Sequence, residues 1–348
     1  MCSFYSIFKF SAHSVLFAGA LCYLQAGLND IFSGSHPVLT GDNLKAIAFF
    51  EGKGIDFSKI GISCLGGGNN DTYKIETTIG SFVLRKTRND SRRFSNNLKD
   101  EYENHRAVDF IGITSSPCFY DETSGVYISK FINGIPLETK NFEENLMKIA
   151  QAIASLHTST VRFAHNYANL KLFTLLQEEL FQKVGYRLSP SVKSIESEVI
   201  ALIDAIQKIE TIPVPCHNDL NINNFIIESN PSKSVRLIDW EYSGLNSPAW
   251  DIAYFLLISD IPPHFWKSFI GEYLKNARCR DVERFLMELE IYKPLVLIYM
   301  GHLLTINSKK DNFNEKEALA LAEKCFSWSI AFVKSASYLS AKSYFKIK

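Results

Sequence analysis

Hydrophobic and polar positions follow two rhythms along the 348 residues: strand-like alternation in the first third, helical spacing afterwards. Residues 43–51 (NLKAIAFFE) predict a short helix, and 57–64 alternate weakly, as a strand does. A glycine-rich turn at 65–71 (LGGGNND) leads into two β-rich runs, 72–76 and 81–85, joined by a turn near Gly80, the pattern of a hairpin. A helix is expected over 98–111, then a strand over 126–132 that ends at Asn133-Gly134. In 143–157 the apolar positions 146, 149, 150, 153 and 156 make a helical stripe. Two helical segments over 168–210 break around 185–191, and 224–227 with 235–238 read as a short β pair. Ser247-Pro248 gives a helix start, 251–259 is strongly apolar, and helices are expected over 263–277, 281–306 and 313–338. Strands first and helices afterwards predict an α+β fold: a small antiparallel sheet lobe with one helix, and a larger, mostly helical lobe.

Composition narrows this picture only slightly. Hydrophobic residues make up 46% and charged residues 21%, ordinary for a globular protein. The 37 basic and 37 acidic side chains cancel, so charge gives no reason to expect nucleic acid or an anionic membrane as partner. The seven cysteines are scattered, odd in number and never in a CxxC pair, which argues against a disulfide framework or a zinc site and fits a reducing compartment. The apolar run at 14–26 has 13 residues, short of the roughly 20 a spanning helix needs, so no stable membrane insertion is expected. It is long enough for a signal-peptide core and contains Ala18-Gly19-Ala20.

Candidate chemistry centres on 216–242. His217-Asn218-Asp219 opens it, Asn224 stands five residues after Asp219, and Asp239 follows the apolar run Val235-Arg236-Leu237-Ile238. A loop carboxylate, an amide and a carboxylate at a strand end suit magnesium, which takes one or two carboxylates plus phosphate oxygens and water. Phosphoryl transfer needs such a metal site, a positive group on the phosphates and a carboxylate to accept the proton of the acceptor hydroxyl. Asp219 fits the last role. Upstream, amides of the glycine turn around Gly66, Gly67 and Asn70 can meet phosphate oxygens. Arg85 faces the same cleft, and either Glu101 or Glu103 on the following helix could hold it.

With these motifs the chain resembles the choline/ethanolamine kinase family, within the aminoglycoside-phosphotransferase and protein-kinase-like superfamily, from about residue 60 to 335. The residues that carry the resemblance are His217-Asn218-Asp219-Leu220 with Asn224, and Ile238-Asp239-Trp240-Glu241-Tyr242-Ser243-Gly244 with Asn246 and Asp251-Ile252-Ala253. Leu65-Gly66-Gly67 with Asn70 and Tyr73, Val83-Leu84-Arg85 and Glu101-Tyr102-Glu103-Asn104 complete it. The resemblance implies a protein-kinase-like two-lobed fold. It makes Asp219 the catalytic base, gives magnesium to Asn224 and Asp239, and gives ATP phosphates to Arg85, with Glu101 positioning it. Backbone groups around Ser129, Phe131 and Ile132 would take adenine, and Asp251 would brace the catalytic loop. Tyr242 and Tyr299, with Glu241, would receive the cationic end of an amino alcohol, choline or ethanolamine. Where eukaryotic members carry a tryptophan pair this chain has Tyr299 and His302, and Leu257 stands where they carry a glutamate.

The expected organisation is an extension over 1–40, a nucleotide-binding lobe over 41–133 and a catalytic, substrate-binding lobe over 134–340. The expected activity is ATP- and Mg2+-dependent phosphorylation of a small-molecule alcohol in the cytoplasm. That location favours a leading amphipathic helix, or an extension from an upstream start codon, over an export signal at 14–26. The sequence leaves the oligomeric state open. A kinase of aminoglycosides, thiamine or a related amine-bearing alcohol is the alternative in the same class. An inactive nucleotide-binding pseudokinase is the alternative outside it, although Asp219, Asn224 and Asp239 are all present.

Overall fold

Alternation in the first third becomes a five-stranded antiparallel sheet in which 61–66, 70–77, 80–87, 126–130 and 117–121 lie side by side in that order. In the computed structural model the described residues are 44–55, 60–66, 70–87, 98–163, 165–167, 177–208, 213–309 and 314–345. The expected extension over 1–40, Gly67 and the 168–176 part of a predicted helix lie outside them. By internal contacts the chain forms two compact units. Among the described residues the sheet unit takes 44–137 and 224–243, and the helical unit takes 138–223 and 244–345.

The sheet unit begins with helix α1 (Leu44–Glu51) and strands β1 (Gly61–Gly66), β2 (Asn70–Thr77) and β3 (Gly80–Thr87). Helix α2 (Leu98–Asp109) follows, then β4 (Pro117–Asp121), β5 (Val126–Lys130) and β6 (Gly134–Pro136). Phe50, Ile55, Ile75, Phe82, Leu84, Val126 and Ile128 form the core of this unit. Burying such side chains contributes about 1.5–3 kcal/mol each. Because successive strand residues face opposite sides, Leu84 enters this core while Arg85, opposite Thr72 and Tyr127, faces the other side of the sheet.

From Glu138 the chain supplies the helical unit with α3 (Phe142–His157), α4 (Pro190–Lys208) and β7 (Val214–Cys216). It returns to the sheet unit for β8 (Phe225–Glu228) and β9 (Val235–Leu237), which join β6 in a three-stranded sheet. Gly134 lies so close to the Ile227 carbonyl that a Cβ there would collide with it. The expected β pair therefore has a third strand. The chain then re-enters the helical unit through β10 (Gly244–Asn246), antiparallel to β7.

Helices α5 (Pro248–Ile258), α6 (Pro263–Asn276), α7 (Val282–Asn307), α8 (Glu315–Val333) and α9 (Ala336–Tyr344) complete the helical unit. The helix expected over 313–338 is two, because the Ser335 hydroxyl accepts the Tyr338 N–H (3.2 Å) and starts α9. Helix α7 is long and apolar enough to cross a membrane, but its apolar window is 89% buried inside the fold, as in a core helix.

Glu196 on α4 and His302 on α7 are 1% and 0% exposed, with Oε1 and Nε2 3.4 Å apart. Burial pushes the Glu196 carboxyl from 4.5 up to about 7 and the His302 imidazole from 6.5 down to about 4. Between pH 4.5 and 6.5 the folded pair holds one proton, on Glu196, and the unfolded chain also holds one, on the histidine. Stability contributed by the pair is therefore flat there, falling above pH 6.5 and below pH 4.5. His302→Leu removes the compensating imidazole, so stability relative to the parent should fall with rising pH from 4.5 to 6.5, by up to about 1.4 kcal/mol per pH unit. Urea unfolding of both proteins across this range checks it; a pH-independent difference contradicts it.

Candidate active site

Arg85, in the middle of β3, is the centre of a buried charge cluster in the sheet unit. Its Nη1 donates to Glu101 Oε1, and both Nη1 and Nη2 donate to Asp239 Oδ1 at 3.0 Å. Glu101 is the helix acid that reaches Arg85. Glu103 points to solvent and pairs with Arg106 at 3.4 Å. Burial opposes the charge on Arg85, but Asp239, Glu101 and Glu241 hold its pKa well above the ordinary arginine value. Burial also pushes the Glu101 carboxyl up to about 7, against the pull of Arg85. One guanidinium thus answers three carboxylates, a local excess of negative charge that suits a divalent cation.

Asp239 follows β9 with φ 71 and ψ 69, a left-handed conformation that costs a non-glycine residue roughly 1–2 kcal/mol. Its bonds to Arg85 use Oδ1, and among the described residues none reaches Oδ2. Asn224 lies beside this turn, since its carbonyl accepts the Ile238 N–H at 3.0 Å. A carboxylate and an amide side chain on adjacent chain segments offer the hard oxygen donors magnesium takes. Glu241 and Tyr242 lie in the 3-10 turn after Asp239, both half-buried.

Gly66 closes β1 with φ 83, a conformation open to glycine, and Asn70 opens β2 opposite Thr87. Ser129 and Phe131 stand at the end of β5. The Lys130 N–H donates to Ser116 O and the Phe131 N–H to Ser81 O, each at 2.9 Å. The Phe131 N–H is thus committed to the sheet, and Lys74 Nζ lies over its ring, 4.7 Å from the centroid.

In the helical unit Asp251, fully buried near the start of α5, shapes the loop that carries Asp219. Its Oδ2 accepts the His217 N–H and its Oδ1 the Asn218 N–H, each at 2.8 Å. Asn218 has φ 65, and its side-chain oxygen accepts from Asn246 Nδ2 at 2.9 Å. His157 places Nε2 3.1 Å from Asp251 Oδ2 and Nδ1 2.8 Å from the Tyr273 hydroxyl. The loop is thus pinned one and two residues before half-buried Asp219. His157, Cys216 and Asp251 lie within 4.8 Å of one another, the closeness of a ligand set. Burial and Asp251 hold the Cys216 thiol protonated, however, and both Asp251 oxygens accept backbone N–H groups. This is a hydrogen-bonded brace.

Tyr299 on α7 is buried in an aromatic group, its ring 5.3 Å from Trp250 and 6.4 Å from Tyr254. Several acids of this unit that could have lined an acidic cleft are engaged locally. Asp281 caps α7, Glu288 accepts from Ser247 and Arg284, Glu272 pairs with Lys275, and Glu290 with Lys293.

Sequence reasoning missed the buried polar residues behind these groups. His105, Thr114 and Tyr127 stand behind the Asp239 turn, and Tyr273 behind Asp251. Their spacing in sequence carries no signal, because each joins an element far away along the chain.

Comparison with known proteins matches residues 65–327 to choline/ethanolamine kinases. The chain belongs to the choline/ethanolamine kinase family. It is 27% identical over 197 residues to Protein LicA of Haemophilus influenzae, covering 56% of this chain and 57% of that protein. It is 31% identical over 135 residues to human Ethanolamine kinase 2, covering 35% of this chain and 33% of that protein. The matched part thus spans a third to somewhat over half of these family members. The crystal structure of choline kinase LicA from Streptococcus pneumoniae superposes with a TM-score of 0.66 at 20% identity, covering 83% of this chain and 99% of that one. At that identity the likeness establishes the protein-kinase-like fold of the family.

Proposed function

We propose that the protein is an ATP-dependent kinase that phosphorylates the hydroxyl of a small amino alcohol, choline or ethanolamine. The observation that carries this reading is the buried Arg85–Glu101–Asp239 cluster, found in a chain of the choline/ethanolamine kinase family. In this reading Asp219 orients the alcohol and accepts its proton as the oxygen attacks the γ-phosphorus and the bond to ADP breaks. Asn224 and Asp239 hold magnesium, which when bound neutralises charge on the phosphates. Arg85, fixed by Glu101, adds positive charge to the phosphates. Amides around Gly66, Gly67 and Asn70 are assigned to the phosphates, and the Ser129–Ile132 segment to adenine. Glu241, Tyr242 and Tyr299 are assigned to the cationic end of the acceptor, where cation–π contact contributes roughly 0.5–2 kcal/mol per ring. The reaction draws on a cytoplasmic ATP pool.

A panel of acceptors tests the substrate class. Purified protein with ATP and Mg2+ should release ADP with choline or ethanolamine, and far less with thiamine or aminoglycosides. Turnover confined to thiamine or an aminoglycoside would overturn the amino-alcohol assignment and leave a kinase. No ADP with any acceptor would favour the pseudokinase reading.

A further inference from the structure

Behind the turn that carries Asp239, four buried side chains form one hydrogen-bonded chain with a fixed direction. The Thr114 hydroxyl is 2.9 Å from Leu237 O, 3.0 Å from Trp240 Nε1 and 2.8 Å from His105 Nε2. A carbonyl only accepts and an indole N–H only donates, so the hydroxyl gives its single proton to Leu237 O and accepts from Trp240. His105 Nε2 must then be a donor as well. Its second neighbour, Ser115 O at 2.6 Å, requires the same. With Nε2 protonated, Nδ1 of a neutral imidazole accepts, and the Tyr127 hydroxyl supplies that proton. Burial lowers the His105 pKa to about 3, consistent with a neutral ring. The Leu237 N–H donates to Ile113 O at 2.7 Å, so this residue is held at both its amide and its carbonyl.

Leu237 is two residues before Asp239 and Trp240 is one after, so Thr114 grips both sides of a carboxylate held in a left-handed conformation. His105 also lies one helical turn after Glu101 on α2, and its ring lies against Trp240, 6.3 Å between centroids and 29° between planes. One face of α2 therefore holds Arg85 through Glu101 and the Asp239 turn through His105.

We propose that Thr114, oriented by His105, is a positioning residue that fixes the Asp239 carboxylate for its metal. The inference rests on the reading of Asp239 as a magnesium-holding group. Its test uses Mn2+ in place of Mg2+, followed by the EPR signal of free Mn2+ in the presence of full-length protein and ADP, so that metal affinity is read without turnover. Thr114→Val keeps the shape and removes the hydroxyl. It should weaken Mn2+ affinity about tenfold and lower kcat with little change in KM for the alcohol, while Thr114→Ser restores both. Trp240→Phe, which removes the indole donor together with one of the two fused rings, is the second variant and should weaken Mn2+ several-fold.

Asp239→Asn, run alongside, separates the two levels. Parent-like Mn2+ affinity in Thr114→Val and Trp240→Phe, with affinity lost in Asp239→Asn, would overturn the positioning role alone. Parent-like affinity in Asp239→Asn would overturn the magnesium assignment and this inference with it. Equal losses in Thr114→Val and Thr114→Ser would also refute it, since the hydroxyl is then not what matters.

Discussion

Asp219→Asn should lower kcat by about 10²–10⁴-fold, the usual contribution of a positioned general base, while nucleotide still binds. The structure makes this a clean substitution. The loop is held through the backbone of His217 and Asn218 by Asp251, and Asn218 is held further by Asn246. Exchanging one carboxylate oxygen of Asp219 for an amide nitrogen leaves those bonds in place. Single-turnover kinetics with calorimetric titration of ADP distinguishes lost chemistry from lost binding. Near-normal turnover would remove Asp219 from the role of base.

Arg85→Met should be more damaging to the fold and equally damaging to activity. The side chains of Arg85 and Glu101 are 15% and 3% exposed, so removing the guanidinium strands a buried carboxylate beside Asp239 and Glu241. Breaking a buried pair from one side typically costs about 3–5 kcal/mol. Arg85→Lys keeps the charge but not the planar fork that spans Glu101 and Asp239, so it should recover part of the stability and little of the ATP affinity. Thermal unfolding with KM for ATP, measured on both variants, checks the pair. A stable Arg85→Met protein with an unchanged KM would contradict both roles.

Much of the chemistry was legible in sequence because it is local. His217 to Asn224 and Ile238 to Tyr242 are contiguous runs, and their residue types limit what they can do. Arg85 could be placed because it ends a β-rich run, where strand geometry sends Leu84 and Arg85 to opposite faces. The choice between Glu101 and Glu103 could not be made from helical spacing, since both lie near the start of α2; the structure decides it by burying Glu101.

Strand β4 escaped for a physical reason: Pro117 and a run of only five residues argue against a strand, yet an edge position tolerates both. Strands β6, β7 and β10, three residues each, are too short to show a period. Glu288 stands among other helix acids in sequence, and only the structure shows it buried between Ser247 and Arg284. Partners that lie far apart in sequence, such as His157 with Asp251 or Thr114 with Leu237, leave no periodic trace. The supporting polar groups were therefore the least visible part of the site.

The central claim is phosphoryl transfer to an amino alcohol, and 31P NMR of the full-length protein with ATP, Mg2+ and choline or ethanolamine tests it most directly. The predicted spectrum gains a phosphomonoester resonance and the two ADP resonances together as ATP declines, and none of these changes occurs when the alcohol is left out. Unchanged ATP with both alcohols, or ADP accompanied only by inorganic phosphate, would contradict the account.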